Sequence, residues 1–222
     1  MLSGKITFYA TLFMLIAHLV LGSGQARGAV GCDLNDPDRD VARLFPGSTG
    51  YKTVYIDLRK LGGDRLVAQV ESRLRDRLHG LYETVDVPYT VYVIYQGKKK
   101  IGYIHGVNQK GRYGGIAVFL ALDLNERIKS FYIQKISGPE AGKFRTGEFG
   151  RQFAGLSLKD FELYDVVSGK GGGKVSGIAN PVGESDPDFR LTLRGTKKNL
   201  LFVNEFLKLA SQWPPPKGKT AP

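Results

Sequence analysis

Residues 85–136 restrict the fold more than any other part of the chain, because they read as successive strands separated by turn chemistry. Residues 90–95 and 101–105 flank Gln96-Gly97-Lys98-Lys99-Lys100, a hairpin with a basic turn whose lysines keep an exposed tip soluble. Residues 116–122 and 128–136 form a second pair around Asp123-Leu124-Asn125-Glu126-Arg127. Four strands joined by short turns predict an antiparallel β-meander. The remaining periodicity is helical, so the expected class is α+β, a meander packed with a few helices in one domain.

A helix is expected from Asp64, where Leu66, Val67, Val70, Leu74 and Leu78 share one face. Asp64 would cap it, Gly80 follows its end, and Arg65, Glu71, Arg73, Arg75 and Arg77 make a solvated face. Val41-Ala42-Arg43-Leu44-Phe45 predicts a short helical turn halted by Pro46-Gly47. Phe149, Phe153 and Leu156 carry a further short helical pattern, and glycine-rich residues 168–177 with residues 180–188 read as loop. The last helix is expected over residues 196–213, with Leu200, Val203, Leu207 and Ala210 on one stripe, ended by Pro214-Pro215-Pro216.

Lys5 followed by the apolar run of residues 6–21 reads as export machinery, since the run is short of the ~20 residues that span a bilayer. The expected organisation is a signal peptide or N-terminal anchor over 1–31, an acidic spacer over 32–40, a domain over 41–213 and a Pro/Lys tail over 214–222. The body then lies on the periplasmic face of the cytoplasmic membrane, by cleaved leader, lipid anchor or N-terminal anchor. Cys32, after Gly28-Ala29-Val30-Gly31, is a candidate lipidation site, against the alternative of a free thiol near a flexible mature N-terminus.

The balance of 32 Lys+Arg against 21 Asp+Glu, net +11, favours anionic partners. Export and the scatter of the basic residues argue against nucleic acid. One cysteine and three histidines exclude a disulfide framework, a cysteine-rich metal site and haem attachment. Gly138-Pro139-Glu140-Ala141-Gly142-Lys143 and Gly169-Lys170-Gly171-Gly172-Gly173-Lys174 are each one residue short of a phosphate loop and lack its hydroxyl. No nucleophile elbow or His-Glu-x-x-His appears, so hydrolytic catalysis has no support.

Arg194-Gly195-Thr196-Lys197-Lys198 would set three cations around the start of the last helix, where the macrodipole is already positive. A phosphate on free backbone N–H groups would relieve that repulsion, with Gly195 allowing close approach and Thr196 beside it. Alternatively, Thr196 caps the helix and the long side chains bend into water.

The order of these parts resembles the FMN-binding domain family found in the sodium-translocating quinone reductase and in the related Rnf complex. Leu44-Phe45-Pro46-Gly47 is similar to that family's opening segment. Gly111-Arg112-Tyr113-Gly114-Gly115-Ile116, followed by Leu122-Asp123-Leu124-Asn125-Glu126-Arg127-Ile128, is similar to its Tyr-Gly-Gly strand and Asp-turn-Ile hairpin. Ser137-Gly138-Pro139-Glu140-Ala141-Gly142 and Phe149-Gly150-Arg151-Gln152-Phe153-Ala154-Gly155 lie where the family has Glu-Thr-Pro-Gly-Leu-Gly and Phe-x-x-Gln-Phe-x-Gly. Arg194-Gly195-Thr196-Lys197 stands where Ser-Gly-Ala-Thr carries FMN by a phosphodiester. The hydroxyl lies one residue nearer the glycine, ~100° around the helix, which points away from covalent attachment.

The resemblance implies an FMN-binding flavoprotein in electron transport, with Gly114, Gly115, Pro139, Glu140, Arg194, Gly195, Thr196 and Lys197 as cofactor-binding residues and no catalytic or metal residues. Its partners would be the membrane and redox proteins, and it would serve as an electron-transfer or accessory subunit rather than a stand-alone enzyme. Two alternatives stand beside this: a relative without cofactor acting in assembly or docking, and a periplasmic module for an anionic ligand.

Overall fold

The β-rich middle of the chain forms one five-stranded antiparallel sheet in the order β1-β2-β3-β4-β5, each strand beside its sequence neighbour. The computed structural model describes residues 32–78 and 80–210; the leader, His79, Trp213, the proline run and the tail lie outside the described residues. The strands are β1 Gly50–Ile56, β2 Tyr89–Gln96, β3 Lys99–Gly111, β4 Gly114–Leu122 and β5 Ile128–Lys135. Local chemistry sets each turn. Gly97, at φ +58°, lets a two-residue turn pair Gln96 with Lys99. At the β4–β5 turn, Asp123 Oδ1 accepts from the backbone N–H of Asn125 at 2.8 Å and of Arg127 at 2.9 Å.

The strand pattern in the sequence does not extend to β1. Its residues are mostly exposed, and it becomes a strand through its pairing with β2, Gly50 to Tyr95 through Ile56 to Tyr89. The expected acidic spacer is also corrected. Helix α1, Pro37–Leu44, starts inside it: Asp36 caps the helix by accepting from Arg39 N–H, Pro37 opens it, and Asp38 and Asp40 complement its positive end. The acids are there to start a helix, so folded structure begins before Val41.

Both faces of the sheet are covered, which is why β4 is buried along almost its whole length. On one face Leu34, Val41, Leu44 and Phe45 pack onto Tyr92, Ile94, Ile104 and Phe119. The other face holds the larger core, under helix α3 (Gly63–Leu74) and helix α7 (Asp188–Ala210), with short helices α2 (Leu58–Leu61), α4 (Ala141–Phe144), α5 (Gly147–Arg151) and α6 (Leu158–Phe161) around them. α3 ends at Leu74, where Arg75 turns left-handed at φ +59°. Leu78 therefore packs from the segment beyond the helix rather than from its face. Asp64 sits in the first turn of α3, behind Gly62 at the cap.

The Phe149–Phe153 motif has a structural account. Phe149 stands edge-on to Phe131, Phe144 and Phe153, and Phe153 stacks on Phe131 at 3.9 Å between centroids. Gln152 accepts from Ala179 N–H, which ties the glycine-rich loop to α5.

Candidate functional site

Helix α7 places the cationic run. The sequence expectation started it at Thr196; it starts at Asp188, eight residues earlier. Asp186-Pro187-Asp188 supplies the reason. Asp186 Oδ1 accepts from Asp188 N–H at 2.9 Å, Pro187 has no N–H to waste, and the acids suit the positive helix end. The run Arg194 to Lys198 therefore lies in the helix interior, about 12 Å along the axis from the N-terminus to Thr196 at ~1.5 Å per residue. Its backbone N–H groups are spent on the helix ladder, which leaves none for a phosphate.

The side chains are buried. Arg194 and Lys198, four residues apart, point to the same side of α7, toward the segment that follows α3. Arg194 Nε donates to Asp76 at 2.7 Å, Nη2 donates to Arg77 O at 2.9 Å and to Glu83 Oε2 at 3.2 Å, and Nη1 donates to Gln109 and to Glu83 Oε1. Those bonds use all five N–H groups of a guanidinium. Lys198 Nζ donates to the same Glu83 oxygen and to Asn108 O at 2.6 Å. Two cations thus meet two carboxylates, and Glu83, only 5% exposed, sits between them.

Burial would raise the Glu83 carboxyl, but the charges of Lys198 and Arg194 outweigh it and hold the group below its ordinary value. Burial pushes the Lys198 ammonium down to about 8, against the pull of Glu83.

Thr196 Oγ1 donates to Thr192 O at 2.9 Å and is fully buried; Lys197 Nζ donates to Tyr164 O at 2.8 Å on the side toward α6. Gly195 faces Gln109 and Val118, where a Cβ would come within 3.3 Å, so the small residue serves close packing of α7 on β3 and β4. Gly114 lies at the β3–β4 turn and Gly115 beneath Tyr82. Gly138 lies under Tyr113, which brings the Pro139-Glu140 loop beside that turn, and Glu140 pairs with Lys143. The α7 N-terminus joins this end of the sheet, since Asp188 Oδ1 accepts from Arg112 N–H at 2.6 Å. The structure therefore brings the hairpin, the Pro139 loop and the helix start together, and leaves Arg194 to Lys197 inside the core. At the helix start Asp186 and Asp188 accept the N–H groups of Asp188 and Arg112. A phosphate fits neither place: at one, carboxylates already take these donors, and at the other its position is taken by Glu83.

Two further buried or half-buried groups stand near the sheet, of which only Cys32 carries a signal in the sequence pattern. His105 is fully buried beside Tyr89, Phe202 and Phe206; its Nδ1 bonds Asn199 Oδ1 at 2.7 Å, while Nε2 has no hydrogen-bond partner among the described residues. Burial lowers its imidazole to about 4. Cys32 is half-buried near Tyr89, Gly106 and Asn108, and burial pushes its thiol up to about 12. A cleft of about 430 Å³ runs along β5 between α1 and α5, with Arg43, Lys129, Arg145 and Arg151 on its walls. Among the described residues no group of three or more His, Cys, Asp or Glu could hold a metal, and no helix is long and apolar enough to cross a membrane. Comparison with protein-family models and with curated proteins returns no match.

Proposed function

We propose that the chain is an exported, membrane-associated accessory domain of a respiratory or Rnf-type redox system, built on an FMN-binding-like scaffold and acting by docking rather than by carrying flavin. The observation that supports a role without flavin is the Glu83 carboxylate between Arg194 and Lys198, which supplies from within the protein the anion those cations require. The position of Thr196 adds to it, since a hydroxyl bonded inside a helix is no phosphodiester acceptor.

The test is the colour and flavin content of the purified full chain. A colourless protein, no flavin in the denatured extract and no retention of FMN in equilibrium dialysis are expected. Stoichiometric flavin, or a mass increase of one FMN moiety, overturns the reading in favour of the electron-carrying alternative.

A further inference from the structure

The free edge of β5 is a groove with a backbone floor. From Lys129 to Lys135 the strand pairs with β4 on one side, and among the described residues no backbone group in that stretch bonds to anything on the other. Both ends of this window are closed. Ile128 exchanges hydrogen bonds with Gly155 and Leu156, and Arg145 donates to Ile136 O. The walls rise from α1, where Arg43 lies over the Tyr132 ring at 4.1 Å, and from α4 to α5, where Arg145 and Arg151 stand. Of the four cations in the cleft, only Arg43 has a carboxylate within ion-pair distance among the described residues.

Charges on an edge strand ordinarily repel a stray strand, and a flat, open edge with lysines would be read so. This edge is walled instead, and its charges line the walls. We infer that the β5 groove takes an acidic, extended segment of a partner protein as a sixth strand. The partner's backbone would complete the ladder, while acidic side chains alternating to its two faces would meet Arg43 on one wall and Arg145 and Arg151 on the other. Charge complementarity selects this occupant. Residues 1–31 and 211–222 of this chain carry Lys5, Arg27, Lys217 and Lys219 and no acid at all, so they do not supply such a segment. The groove is then the docking surface of the accessory domain proposed above, and the source of the partner rests on that reading.

The test uses the full purified chain and a short fluorescent peptide of Glu-Glu pairs separated by single Val residues, which puts Glu on both faces of an extended strand, followed by anisotropy. Saturable binding is expected. Binding weakened roughly tenfold by Arg145→Glu with Arg151→Glu, at an unchanged melting midpoint, supports the wall charges. If that pair of changes unfolds the protein, Lys129→Glu with Arg151→Glu takes its place. The same peptide N-methylated at alternate residues keeps its charge but loses backbone donors, and must bind much more weakly. Hydrogen exchange must slow at those amides of residues 129–135 that face away from β4. Absent binding, equal binding of the N-methylated peptide, or displacement of the peptide by FMN overturns the inference. Flavin in the purified protein would overturn the accessory reading alone and leave these measurements unchanged.

Discussion

Glu83 is the residue on which the buried network turns, because one carboxylate answers two cations. Removing one partner of such a cluster leaves charge uncompensated in the interior, at a cost of about 3–5 kcal/mol. Glu83→Ala should therefore destabilise by that amount in urea unfolding, and formate, small enough for the vacated space, should restore part of the loss in the variant and none in the parent. His105 makes a second prediction. Its folded value of about 4 lies below the ordinary 6.5, so the unfolded chain binds the proton more readily. The stability contributed by the neutral ring is full above pH 6.5 and is lost as pH falls toward 4, by roughly 3 kcal/mol. Melting midpoints measured across that window should fall, and fall less steeply in His105→Gln.

At the scale of elements, α1 is held by the ring of Phe45 lying against Gly102 of β3. A Cβ at Gly102 would meet Leu122 O at 2.2 Å and the Phe45 ring at 2.5 Å, so backbone as well as side chain would have to move. Gly102→Ala should cost about 1–3 kcal/mol, measured as a lowered unfolding midpoint, and should loosen α1 first in hydrogen exchange. Helix α7 is fixed by polar contacts as much as by apolar ones. Asn199 Nδ2 donates to His105 O and Val118 O, both at 3.0 Å, and so stitches the helix across β3 and β4.

In the whole molecule the two cores share one sheet: β3 and β4 contribute Val107, Ile116 and Val118 to one face and Ile104, Ala117 and Phe119 to the other. Neither layer of helices can leave without exposing strands that the other layer needs. Unfolding is therefore expected as a single transition, with coincident curves from far-ultraviolet circular dichroism and from near-ultraviolet tyrosine signals. Separate transitions would show that α1 and its core are a detachable unit.

The meander was legible because its causes are local. Turn residues and strand-forming runs lie within a few positions of each other, and the α+β class follows from them. Two elements were misread where local signals compete. Asp36-Pro37-Asp38 and Asp186-Pro187-Asp188 look like loop acids until the helix that each one starts is seen. The cationic run was legible as charge in need of an anion, and Arg194 and Lys198 do meet one. Its origin was not legible, since Glu83 lies 111 and 115 residues away and reaches them only because the segment after α3 folds back over α7. Periodicity reports which face of a helix is turned inward; whether the charge on that face meets a ligand or the chain's own carboxylate depends on contacts between distant segments, which no local pattern encodes.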